Sequence, residues 1–179
     1  GGGGSDLYMV EDIGDQVSET VGGPAGGVDL VRSTASFKLG ANVENLELFG
    51  TGNIDGTGND LANILIGTSG NNSLDGGAGA DKMSGGGGGD IYRIDTKGDV
   101  AIESLAGMAG GTDRVESEIA LALGANLENL TLLGAGDING TGNALIKEIV
   151  GNDGKNSLVG IAGNEQPSGG PCDEHAGGG

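Results

Sequence analysis

The chain has 179 residues, enough for one domain, but glycine fills 42 positions and only Tyr8, Phe37, Phe49 and Tyr92 are aromatic. That composition excludes one thick core of large side chains, and the glycines do not recur at every third position, which excludes collagen. Eight basic against 26 acidic residues leave a net charge of −18, which argues against a nucleic-acid partner or an anionic membrane surface and calls for cations to hold a compact state together.

In chain order, the first nine residues, GGGGSDLYM, place glycine at the first, second and fourth positions, Asp6 sixth and Tyr8 eighth. The opening in mid glycine run has none of the parts of a signal peptide and predicts a piece of a larger polypeptide. From Tyr8 to Leu39 the frame lapses, but VDLVRS (Val28 to Ser33) alternates as a strand does. From Gly40 the chain divides into nines: GANVENLEL, FGTGNIDGT, GNDLANILI, GTSGNNSLD, GGAGADKMS, GGGGGDIYR. Their sixth residues are Asn45, Ile54, Asn63, Asn72, Asp81 and Asp90, and the later eighth residues are Leu65, Leu74, Met83 and Tyr92. DVAIES (Asp99 to Ser104) reads as a further strand. Ile119 to Leu133 has helical propensity, opposed by Gly124 and by the period of nine.

A shift of 84 residues lays Tyr8 on Tyr92, Asp29 on Asp113, and Leu39 to Asn59 on Leu123 to Asn143. The chain is therefore expected to hold two copies of one unit, residues 1–84 and 85–179. Each unit is nine nonapeptide steps plus about three inserted residues. The second copy is the more degenerate and ends in the atypical tail QPSGGPCDEHAGGG.

A strand of about three residues with one inward apolar side chain, followed by a glycine-rich turn, reverses the chain every nine residues and closes a coil every eighteen. The predicted fold is all-β, a parallel β-roll or β-solenoid of nonapeptide half-coils. Residues eighteen apart then stack along an edge: Asn45, Asn63, Asp81 and Asp99 on one, and Ile54, Asn72 and Asp90 on the other, with Ile54 leaving a gap. In the two fullest repeats a carboxylate follows glycines whose carbonyl oxygens are free to converge on one centre. Calcium takes six to eight such oxygens in flexible geometry, so several calcium ions between successive turns are expected, near Asp81 with Asn63 or Asp99, and near Asp90 with Asn72. Asn45, Asn72, Asn129 and Asn156 could instead form an amide ladder that closes the turns without metal. Asn59 and Asn143, each in GTGN, read as turn-formers.

These nonapeptides resemble the repeats-in-toxin (RTX), or haemolysin-type, calcium-binding repeats, whose signature is GGxGxDxUx. The resemblance implies a parallel β-roll, calcium-dependent folding outside the cell, and export of a secreted bacterial protein by type I secretion machinery. It assigns ligand roles to Asp6, Asp81 and Asp90, with carbonyls from Gly76, Gly77, Gly79, Gly85, Gly86 and Gly88. Where the first copy has Asn63, Asn71, Gly77, Asp81 and Met83, the second has Lys147, Lys155, Ile161, Glu165 and Pro167, which puts calcium binding there in doubt.

Catalysis finds little support. His175 is the sole histidine and sits in a glycine-rich tail, so a His-centred triad or a multi-His zinc site has essentially no support. Cys172 is alone and makes no intramolecular disulfide, and Ser73, Ser84 and Ser157 lack a paired base. No apolar run reaches the ~18 residues of a membrane span. The readings set beside the folding module are an accessory module of an extracellular enzyme, of the serralysin-type protease, lipase or polysaccharide epimerase class, and an adhesive ice- or glycan-binding solenoid using Thr51, Thr57 and Thr141.

Overall fold

The computed structural model describes residues 1–145 and 148–160, together with the backbone of residues 166–168 and 174–176. It is an all-β parallel solenoid; the helical content of the described residues is two short 3-10 turns, Gly23–Ala25 and Gly107–Ala109. One sheet runs β1 (Leu7–Val10), β2 (Leu30–Ser33), β4 (Asn45–Leu48), β6 (Ile64–Ile66), β8 (Lys82–Ser84), β10 (Val100–Ile102). The opposite sheet runs β3 (Phe37–Lys38), β5 (Gly56–Thr57), β7 (Ser73–Asp75), β9 (Ile91–Ile94), β11 (Arg114–Ser117), β13 (Asn129–Leu132), β15 (Glu148–Val150), β17 (Gln166–Ser168). A third, β12 (Leu121–Ala122), β14 (Gly140–Thr141), β16 (Ser157–Val159), β18 (Glu174–Ala176), follows later in the chain. The segment with helical propensity thus forms β12 and β13: β13 pairs with β11 and β15 on either side, and β12 with β14.

The nonapeptide sets the core. In a three-residue strand the middle side chain points to one face and its neighbours to the other. Leu65, Leu74, Met83 and Tyr92, all eighth-position residues, are completely buried and belong to one continuous apolar column. Gly22 to Ala62 repeats the theme with Val31, Val43, Leu46 and Leu48, and the second copy with Val115, Leu127, Leu130 and Leu132. The interior is one layer of mostly aliphatic side chains between two sheets, as a glycine-rich, aromatic-poor composition demands.

Coil length is uniform only in part. Paired positions fall 18 apart from Ile64 to Lys82 and from Lys82 to Val100. Before that they step by 23, 15 and 19, through Leu7, Leu30, Asn45 and Ile64. The same irregular steps recur through Ile91, Arg114, Asn129 and Glu148. The three extra residues of the long unit are therefore spread over three coils, not gathered in one bulge. Because the unit is an odd number of half-coils, β1 and its equivalent β9 lie in opposite sheets, and the two copies present their turns on opposite edges.

Candidate metal centre

Asn63, Asn72, Asp81 and Asp90 each sit at the end of a turn, just before the strand that the next residue begins, and successive coils hand one another a backbone N–H. On one edge Asn63 N–H donates to Asp81 Oδ1 (2.7 Å), and Asp81 N–H to Asp99 Oδ1 (3.0 Å). On the other, Asn72 N–H donates to Asp90 Oδ1 (2.8 Å). The expected eighteen-residue stacking of Asn63, Asp81 and Asp99, and of Asn72 and Asp90, is thus realised as direct contact.

Each rail also extends through residues that the period of eighteen does not reach. Asp6 N–H donates to Asp29 Oδ1 (2.7 Å), and Asp29 N–H to Glu44 Oε2 (2.8 Å). In the second copy Asp90 N–H donates to Asp113 Oδ1 (2.7 Å), and Asp113 N–H to Glu128 Oε2 (2.8 Å). Asp29, Glu44, Asp113 and Glu128 escape a fixed period because their coils are 23 and 15 residues long. The 84-residue shift carries the signal that finds them, since it lays Asp29 on Asp113 and Glu44 on Glu128.

The donor set suits a hard cation. Asp81 and Asp90 are buried to within 1 % of complete, and each uses Oδ1 on the rail while Oδ2 has no hydrogen-bond partner. Glycine makes the room beside them: a Cβ on Gly76 would stand 2.3 Å from Asp81 Oδ2, and one on Gly85 would collide with Asp90 Oδ2 and the Tyr92 hydroxyl. Gly77, Gly79, Gly86 and Gly88 take the left-handed φ values of +77°, +136°, +101° and +92° that glycine tolerates. Orphaned buried carboxylate oxygens in glycine-walled turns fit a hard, calcium-class ion.

The asparagines serve the backbone. Asn63 Nδ2 donates to Val43 O and Glu44 O, and its Oδ1 accepts from Asn59 N–H. Asn72 Nδ2 donates to Ile54 O (2.6 Å) and its Oδ1 accepts from Thr68 N–H, so an amide bridge stands where Ile54 interrupts the row of side chains. Asn45, Asn129 and Asn156 make the same reach to Asp29 O, Asp113 O and Ile138 O. Asn59 spans Gly40 O and Val43 O, and Asn143 spans Gly124 O and Leu127 O. Asp99 accepts Asp81 N–H on Oδ1 and Asp95 and Thr96 N–H on Oδ2. Asp6 is half-buried, its Oδ2 accepting from Gly2 N–H (3.2 Å). Of the substitutions in the second copy, Lys155 N–H donates to Asp137 Oδ1 and Pro167 pairs with Ile149 in the sheet; Lys147, Ile161 and Glu165 lie outside the described residues.

Burial pushes the Asp81 carboxyl up to about 6 and that of Asp90 up to about 7, against the rail N–H bonds; Asp99 acts on the first, Asp113 and Glu103 on the second, in the same upward direction. A carboxyl whose folded pKa is raised contributes stability below its ordinary range of about 4 and loses it as pH climbs through the folded value. With chelator present, lowering the pH from 8 to 5 is therefore expected to increase the folded fraction, whereas with subsaturating calcium the same protons compete with the cation. Circular dichroism across that window, with and without calcium, checks both signs.

Residues 57–92 match the family model of the RTX calcium-binding nonapeptide repeat, a model of four copies. No curated protein and no solved structure matches the chain. No helix of the described residues is long and apolar enough to cross a membrane. Residues 57–92 are thus similar to RTX calcium-binding nonapeptide repeats, and they lie within a continuous parallel β-solenoid with carboxylates on its turns.

Proposed function

We propose that this chain is a calcium-responsive folding module of a secreted bacterial protein, without catalytic activity of its own. Its role is to stay unwound where calcium is scarce, as passage through type I secretion machinery requires, and to wind up outside the cell, stabilising whatever is attached to it. The observation that carries the reading is the pair of buried, unpartnered oxygens, Asp81 Oδ2 and Asp90 Oδ2, in a chain of net charge −18.

Asp6, Asp81 and Asp90 are the carboxylates that would hold the ions, with the carbonyls of Gly76, Gly77, Gly79, Gly85, Gly86 and Gly88. Bound calcium supplies the positive charge that offsets carboxylate repulsion across neighbouring coils. The chain's own residues do the rest: the rail N–H groups orient each carboxylate, the glycines let the turns close, and the asparagine amides tie each turn to the one before. Because the site forms only when coils stack, binding free energy becomes folding free energy.

The test is far-ultraviolet circular dichroism of the chain in chelator and in millimolar calcium. The expected result is a disordered spectrum that turns to β on adding calcium and reverts on chelation. An identical β spectrum in both buffers would remove the reading.

A further inference from the structure

Around the nonapeptide carboxylates Asp6 and Asp90, the 23-residue coil of each copy adds a glutamate and a second aspartate that the repeat signature does not describe. In the first copy Asp6, Glu19 and Asp29 each bring a carboxylate oxygen within 4.8 Å of the others; in the second, Asp90, Glu103 and Asp113 do the same. Asp29, Asp90 and Asp113 are at most 1 % exposed, Glu103 5 % and Glu19 6 %. The clusters are related by the 84-residue shift, residue for residue.

The glutamate is held in place. Glu103 Oε1 accepts from Leu105 N–H (2.7 Å) and Oε2 from the Tyr92 hydroxyl (3.2 Å). Glu19 Oε1 accepts from Val21 N–H (2.8 Å) and Oε2 from the Tyr8 hydroxyl (2.7 Å). The glutamate's carbonyl is anchored by the side chain of Asn126 in one copy and of Asn42 in the other. Those two asparagines are the non-glycine residues with positive φ among the described residues.

Two observations besides the cluster of acids point to a ligand. Asp90 Oδ2 is buried without a hydrogen-bond partner, and it faces the same glycine-walled space beside Gly85 as the Tyr92 hydroxyl, which in turn bonds Glu103. Asp29 Oδ2 is likewise buried and unpartnered. In the first copy Asp6 Oδ2, Glu19 Oε2 and the Tyr8 hydroxyl converge on the space beside Gly1.

We infer that these clusters are two copies of a second kind of cation site, which shares Asp6 or Asp90 with the adjoining nonapeptide turn and takes one hard divalent ion of calcium's size through carboxylates from two coils and a glutamate that the long coil inserts. The inference rests on the calcium-binding reading above. Three carboxylates with no His or Cys among them select against zinc, and mixed carboxylate coordination at flexible distances favours calcium over magnesium. Tyr8 and Tyr92 are positioning residues that hold the glutamate toward the ion.

The two tyrosines, in a chain without tryptophan, supply a local probe. Terbium(III) chloride added to the full chain is expected to give tyrosine-sensitised emission that calcium displaces. Glu103→Gln and Glu19→Gln, made separately, are each expected to halve that emission and to lower by one the calcium ions bound at equilibrium dialysis, while calcium still induces β structure through the intact turns. If Glu103→Gln fails to fold, Glu19→Gln at the other end of the solenoid gives the same readout. Unchanged emission and unchanged ion count in a folded variant would overturn the inference. A wild-type chain that is already folded in chelator but shows glutamate-dependent emission would count against the folding module and for these sites; a chain that binds no calcium would overturn both.

Discussion

Asp90→Asn is expected to raise the calcium concentration at the folding midpoint at least about tenfold, and at the same time to leave the chelated chain no less structured than wild type. The two halves of the result have one cause. Asparagine keeps an oxygen for Asn72 N–H, so the rail between coils survives. It removes the charge on a buried oxygen that has no partner of its own, which relieves the metal-free state and weakens the metal-bound one. A residue that served packing alone would lower stability in both conditions. Asp81→Asn is expected to behave in the same way, since Asp81 makes the same contacts one half-coil earlier. Calcium titrations of each variant, followed by circular dichroism with a chelated control, check the sign as well as the size.

Gly86→Val is expected to destabilise the calcium-loaded solenoid by at least about 2 kcal/mol. Gly86 has φ +101°, and a Cβ there would lie 2.3 Å from the carbonyl oxygen of Thr68 in the coil below. Strain and collision therefore fall on the same residue, and the obstructing atom is backbone that cannot rotate away. Gly52→Ala is the control: its Cβ would meet nothing nearer than Ile54 Cγ2 at 3.7 Å, with no positive φ to satisfy. Denaturant unfolding in saturating calcium should separate the two by most of the predicted difference, and equal stability would mean that the coils are not stacked as described.

Much of this architecture is legible in the order of residues. The nonapeptide frame places Leu65, Leu74, Met83 and Tyr92 inward, and all four are buried; it also pairs Asn63 with Asp81 and Asn72 with Asp90 across eighteen residues, and both pairs touch. That works because in a solenoid each coil contacts its neighbours in a fixed register, so sequence period and spatial neighbourhood coincide. Where the coil length changes, the coincidence fails. Asp29, Asp113, Glu19 and Glu103 join the rails or clusters across steps of 23 or 11 residues, and a template of nine cannot see them. The asparagines show a different limit: an amide in a carboxylate's place can ligate or can bridge carbonyls, and only the coordinates reveal that Asn63 and Asn72 hold Val43, Glu44 and Ile54 carbonyls.

The most direct measurement is an anomalous difference map from crystals of the chain grown in calcium. Peaks beside Asp81 Oδ2 and Asp90 Oδ2, between coils eighteen residues apart, are the predicted result. A well-ordered solenoid whose map is flat at both carboxylates would contradict the claim that cations lock the coils together.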